Sequence, residues 1–172
     1  IIGLGGGLLP TILRHYYPTV NITIVEIDPM VVELAQKYFN FKYDSALNVI
    51  ISDGREYIRK LVLNENKKFD LIMFDAYEEY DIIPFYMKTR EFFQELNFLL
   101  KPNIGILVTN LVYIYKSYSR LRKTLSLIFD KNYSFLSQDL VNVIVISSND
   151  KIKLTKQELL NRALKLETEK HF

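Results

Sequence analysis

The sequence predicts an α/β fold, built as a mostly parallel sheet with helices on both faces and an antiparallel strand pair near the C-terminus. Three observations predict it. Short apolar, β-branched runs alternate with segments of helical spacing. Several runs lack a polar face, as in strands covered on both sides. A glycine cluster, Gly3-Leu4-Gly5-Gly6-Gly7, separates the first apolar run from the first helix.

Taken in order, Ile1-Ile2 reads as the end of a strand running into the glycine turn, and Leu8 or Leu9 begins a helix. Ile22-Thr23-Ile24-Val25-Glu26 is a buried strand, and the helix after it opens at Pro29, where Asp28 suits the N-cap and proline the first turn. Asn48 to Ile51 is a strand, Arg55 to Leu63 a helix, and Phe69 to Phe74 a strand ending at Asp75. A helix from Thr89 to Leu100 stops before Pro102, and Ile104 to Asn110 forms another strand. Tyr118, Leu121, Leu125 and Ile128-Phe129 fall at helical spacing. Tyr133 to Leu136 and Val141 to Ile146 are close enough for a hairpin, and an amphipathic helix follows Thr155, with Leu159, Leu160 and Leu164 on its apolar side. The chain has no initiator Met, and its β-branched opening resembles a strand cut in its middle, so the chain is expected to be part of a longer protein.

Composition removes several functional classes. Net charge is +2 with basic residues spread along the chain, so neither nucleic acid nor an acidic membrane surface is indicated as a partner. The absence of cysteine excludes disulfides, thiolate metal sites and a cysteine nucleophile. With two histidines, a zinc site would need carboxylates for most of its ligands, and no metal is expected. No apolar run is long enough to span a bilayer.

The polar residues at the strand ends carry the chemistry. Glycines between a strand and a helix let a ligand approach the backbone near free N–H groups, although tight turns need glycine for packing as well. Glu26 ends the second strand about twenty residues on, where a carboxylate accepts hydrogen bonds from both hydroxyls of a ribose. The dinucleotide fingerprint wants a further glycine where this chain has Leu8, which disfavours a nicotinamide enzyme. Asp53, after the third strand, can accept from an adenine amino group or simply cap the next helix; both readings stand. Features at the C-terminal ends of consecutive parallel strands converge on one crevice, and these describe an adenosine site.

Gly5-Gly6-Gly7, Val25-Glu26-Ile27-Asp28-Pro29, Ser52-Asp53-Gly54-Arg55-Glu56-Tyr57, Phe69-Asp70-Leu71-Ile72 running into Asp75, Thr89-Arg90-Glu91-Phe92-Phe93 and Leu100-Lys101-Pro102 occur in an order that resembles the spermidine synthase family of aminopropyltransferases. Phe74-Asp75-Ala76-Tyr77 with Ile82-Ile83-Pro84 is similar to its divergent, spermidine-synthase-like branch. The resemblance implies a Rossmann-like, S-adenosylmethionine-dependent methyltransferase fold, with 1–172 as one nucleotide-binding transferase domain. It implies that Gly3, Gly5, Gly6, Gly7 and Gly54 line the cofactor, that Glu26 holds ribose and Asp53 adenine, and that Asp75 and Glu78 serve the attacking amine. The implied reaction moves an aminopropyl group from decarboxylated S-adenosylmethionine to a polyamine such as putrescine. The expected setting is cytoplasmic, with a small-molecule amine as partner, no membrane contact from this segment, and a homodimer left open.

Independently of the family, Asp75, Glu78, Glu79 and Asp81 cluster with Tyr77 and Tyr80, a concentration of negative charge that suits a cationic amine and equally suits a solvated loop. One departure bears on the donor. Family members follow the triple glycine with an aspartate that pairs with the ammonium of the decarboxylated cofactor, and this chain has Leu8. A methyltransferase using intact S-adenosylmethionine therefore stands beside the first reading, and a catalytically silent scaffold beside both. His15 is read as a surface or packing residue, His171 as part of a terminal tail without a partner pattern, the tyrosines 16, 17, 113, 115 and 118 as core and interface aromatics, and Arg14, Lys88 and Arg90 as minor candidates for a cofactor carboxylate.

Overall fold

The computed structural model describes residues 1–64, 67–77, 83–113 and 117–170. The elements are α1 (Leu8–Tyr16), β1 (Ile22–Glu26), α2 (Pro29–Tyr38), β2 (Leu47–Ile51), α3 (Gly54–Leu63), β3 (Leu71–Phe74), α4 (Arg90–Leu99), β4 (Ile106–Val112), α5 (Ser117–Ser126), β5 (Lys131–Leu136), β6 (Asn142–Ser148) and α6 (Lys156–Lys170), with a 3-10 turn at Phe85–Met87.

Strands β1 and β2 pair in parallel from Ile22↔Leu47 to Glu26↔Ile51, and β3 and β4 from Leu71↔Ile106 to Phe74↔Thr109. The N-terminal residues join these two halves: Ile2 bridges Val25 on one side and Phe74 on the other, both in parallel. Four backbone bonds hold it there, from Ile2 to Met73, Gly3 to Val25, Val25 to Ile1 and Asp75 to Ile2. β6 then runs antiparallel between β4 and β5, so β6 is the inner strand of the hairpin and β5 forms the edge.

Local chemistry explains where the helices start. Asp28 accepts from Met30 N at 2.8 Å with Pro29 in the first turn, Asp53 caps α3 through Glu56 N at 3.0 Å, and Thr89 caps α4 through Phe92 N at 3.2 Å. Two apolar clusters cover opposite faces of the sheet. One packs Phe92, Phe93, Leu96 and Leu99 of α4, with Ile58 and Leu125, against Phe74, Leu107 and Val143. Its centre is a trio of phenylalanines meeting edge to face, with Phe74 and Phe92 rings 5.2 Å apart. The other packs Val32 and Ala35 of α2, with Leu4 and Phe41, onto Ile24 and Leu47. Arg55 is 7% exposed, pairs with Glu95 and lies over the Phe92 ring, which ties α3 to α4. Burial is the chief cause that lowers the pKa of its guanidinium.

Several boundaries differ from the sequence reading, for tertiary reasons. Phe69 is not in β3; it bonds backbone to backbone with Leu99 and Lys101 at the end of α4. β4 begins later and extends to Val112 because β6 pairs along its whole length. Tyr17 and Tyr113 are exposed rather than core residues, Tyr113 leaning on Tyr118 at 5.3 Å. In α6 no residue is buried, so the apolar side containing Leu160 and Leu164 faces solvent in this chain. Among the described residues, no helix is long and apolar enough to cross a membrane.

Phe92 is fully buried within the trio, so Phe92→Ala is expected to lower unfolding free energy by about 3–5 kcal/mol in urea titrations. A loss under about 1 kcal/mol would show that the α4 face closes without it.

Candidate functional site

The site begins at the central strand. Gly3 has φ 95°, and a Cβ there would stand 2.3 Å from the Asp75 carbonyl oxygen, so no side chain fits where the two chain segments pass. Gly5 has φ 55° and nothing within 4 Å of a notional Cβ, so its backbone is open toward the crevice. Gly6 and Gly7 serve packing: a Cβ would meet the Phe39 ring at 3.2 Å and the Phe41 ring at 2.6 Å. Gly54 likewise fits beneath Ile2 and Met87.

Glu26 ends β1 and is 8% exposed. Its Oε2 accepts from Leu4 N at 2.9 Å, and its Oε1 accepts from Ile27 N at 2.8 Å and Asp28 N at 3.0 Å. Three backbone donors thus fix a carboxylate that would be costly to bury alone. One N–H per oxygen is common for an acceptor with two lone pairs, so Oε2 retains capacity for a ligand hydroxyl.

Asp53 is seen as the cap of α3, one of the two roles the sequence left open. Its Oδ1 caps α3, and its Oδ2 accepts from the Tyr86 hydroxyl at 3.2 Å. Gly3, Gly5, Glu26, Asp53 and Gly54 line one solvent-open crevice, together with Ala76, Tyr77, Tyr86 and Met87.

Asp75 is placed differently. It is exposed, follows β3, and does not line the crevice, although its neighbours Ala76 and Tyr77 do. Its Oδ1 accepts from Asn110 Nδ2 at 3.0 Å, and the Tyr77 hydroxyl donates to the Asn110 carbonyl. The structure therefore gathers Glu26 and Asp53 in one crevice and sets Asp75 at its border. Glu78, Glu79 and Asp81 lie outside the described residues, as do Tyr80, Tyr115 and His171. Arg14 is engaged by Asp44 at 2.9 Å and by the carbonyls of Pro18 and Val20, and His15 meets Tyr16 edge-on. Among the described residues, His, Asp and Glu side chains form no group of three that could hold a metal.

The profile for the spermine/spermidine synthase domain matches residues 1–137. The chain belongs to that family. It is 38% identical over 148 residues to the polyamine aminopropyltransferase of Vibrio vulnificus (strain CMCP6), covering 86% of this chain and 48% of that one. It is also 41% identical over 76 residues to the eEF1A lysine and N-terminal methyltransferase of Danio rerio, covering 44% of this chain and 11% of that one. Among solved structures, human methyltransferase-like protein 13 in complex with SAH superposes with a TM-score of 0.91 at 30% identity, over 99% of this chain and 80% of that chain. The chain thus spans about half the length of one curated relative and about a tenth of the other. The fold is that of S-adenosylmethionine-dependent methyltransferases and spermidine synthases, and the similar proteins are transferases.

The sequence reading did not single out Tyr86 or Asn110. Tyr86 reaches Asp53 from a 3-10 turn 33 positions away, and no local spacing announces that. Asn110 was read as the last residue of a strand. Its one available signal was an amide at a strand end beside the end of β3.

Gly3 and Gly5 should separate two roles by stability alone. Gly3→Ala must displace backbone as well as adopt a left-handed conformation, whereas Gly5→Ala bears only the conformational cost of about 1–2 kcal/mol. Urea denaturation is expected to show the larger loss for Gly3→Ala; equal losses would contradict the close approach to Asp75.

Proposed function

We propose that this chain is the nucleotide-binding part of a transferase that moves an aminopropyl group from decarboxylated S-adenosylmethionine to an amine of a polyamine such as putrescine. The observation that carries the reading is the shared crevice of Glu26, Asp53 and the open Gly5 backbone, with Asp75 next to it at the following strand end. Membership of the spermine/spermidine synthase family supports the same donor and acceptor classes.

In this reading Glu26 accepts from the ribose hydroxyls, and Asp53, steadied by Tyr86, faces the adenine. Gly3 and Gly5 give the ligand access to the backbone of the turn, while Gly6, Gly7 and Gly54 shape it through packing. The step is displacement at carbon. The amine lone pair forms the C–N bond, the C–S bond breaks, and its electrons leave with sulfur as a neutral thioether, so no acid is needed at the leaving group. The obstacle is the amine, which near pKa 10 is almost wholly protonated at neutral pH. A carboxylate beside it orients the nitrogen and receives its proton, and Asp75 is assigned that task, with Glu78 as its assistant.

A second reading is favoured by one residue. Leu8 stands at the start of α1, 70% exposed, where the resemblance calls for an aspartate that selects the decarboxylated donor. Intact S-adenosylmethionine and methyl transfer to an amine then become the alternative, in line with the methyltransferase relatives. The acceptor chemistry is an amine in both.

Calorimetry on the full-length protein with each donor decides between them. Decarboxylated S-adenosylmethionine is expected to bind at least about tenfold more tightly, a difference of about 1.4 kcal/mol. Preference for the intact donor reverses the assignment, and failure to bind either one leaves the silent scaffold. Leu8→Asp should move the preference further toward the decarboxylated form. Asp75→Asn should lower kcat by about 10²–10⁴-fold while donor affinity stays within about twofold; unchanged turnover would remove Asp75 from the chemistry.

A further inference from the structure

We propose that Asn110 is the positioning residue for Asp75, its side-chain amide holding one carboxylate oxygen so that the other is presented to the acceptor amine. The proposal rests on the amine-transfer reading of Asp75 given above.

The juxtaposition follows from sheet register. Phe74 pairs with Thr109, and one step further along the two parallel strands brings Asp75 beside Asn110 on one face. The bond from Asn110 Nδ2 to Asp75 Oδ1 is 3.0 Å. Backbone contacts fix both ends of the pair, since Asp75 N donates to Ile2 O and the Tyr77 hydroxyl donates to Asn110 O.

What makes this pair more than a strand-end contact is the other half of the amide. Asn110 Oδ1 is buried and finds no hydrogen-bond partner among the described residues. A buried acceptor left unpaired is destabilising, and an apolar side chain of similar shape would remove that loss. Asp75 is exposed, so water can satisfy its carboxylate and the fold does not require the Asn110 bond. The arrangement therefore sacrifices stability at Asn110 for a donor aimed at one atom. While Asp75 is charged, reversing the amide would set oxygen against carboxylate, so the orientation is locked by the charge it serves. With Oδ1 already accepting one hydrogen, Oδ2 is the less engaged acceptor for an amine hydrogen, and rotation of the carboxylate is restrained.

The test uses the full-length protein with decarboxylated S-adenosylmethionine and putrescine, comparing Asn110→Leu, Asn110→Asp and Asp75→Asn with the parent. Asn110→Leu removes both the donor and the orphaned acceptor, so its thermal midpoint is expected at or above the parent's. Its kcat should fall at least about tenfold while the KM for the donor stays within about twofold. Asn110→Asp keeps the shape but puts a carboxylate against Asp75, so it should be slower than Asn110→Leu; a merely steric role would rank it near the parent. Full turnover in Asn110→Leu, or a midpoint that falls together with kcat, overturns the proposal. If Asp75→Asn is inactive while Asn110→Leu is not, only this inference fails. If Asp75→Asn matches the parent, or the parent has no turnover, the functional reading fails and takes the inference with it.

Discussion

The site depends on one buried carboxylate. Glu26 enters an apolar sheet interior where a lone charge would be strongly disfavoured, and it is tolerated because Leu4, Ile27 and Asp28 all direct backbone N–H groups at it. That satisfaction works in both directions. The carboxylate is solvated by backbone N–H groups in place of water, and the glycine turn and the entry to α2 are pinned to the end of β1. A side chain that orders its own loop needs little rearrangement when a ligand arrives, which is the condition for binding without a large ordering cost.

Much of this was legible in the sequence because local and global signals agree. Alternating apolar runs and helical periods indicated the parallel strands, Asp28-Pro29 marked the start of α2, and the carboxylate about twenty residues after the glycine turn is one that lines the crevice. The register of a parallel sheet carries such strand-end residues to one edge whatever the loops do. The parts that stayed hidden are those fixed only by tertiary contact. Phe69 reads as strand because it is apolar, yet the end of α4 takes its backbone bonds. Gly7 belongs with its neighbours in sequence, and only the Phe41 ring reveals that packing requires it. Asp53 could be a cap or a ligand from sequence alone; one oxygen caps α3, and the other is reached by Tyr86, a contact no local pattern announces.

Two kinds of transferase meet on this scaffold. The relatives named for polyamine aminopropyl transfer and for lysine and N-terminal methylation differ in the group moved. Both kinds share the fold found here, and sequence similarity to both groups coexists in this one chain.

The join at Ile1–Gly3 has a mechanical consequence. Among the described residues, the β1–β2 pair and the β3–β4–β6–β5 sheet meet in the hydrogen-bond ladder only through this short segment. The crevice lies across that seam, with Glu26 on one flank and Ala76 on the other. A molecule seated there acts as a clasp between the halves, so occupancy adds cohesion to the whole sheet rather than to a loop, by mass action on the folded state.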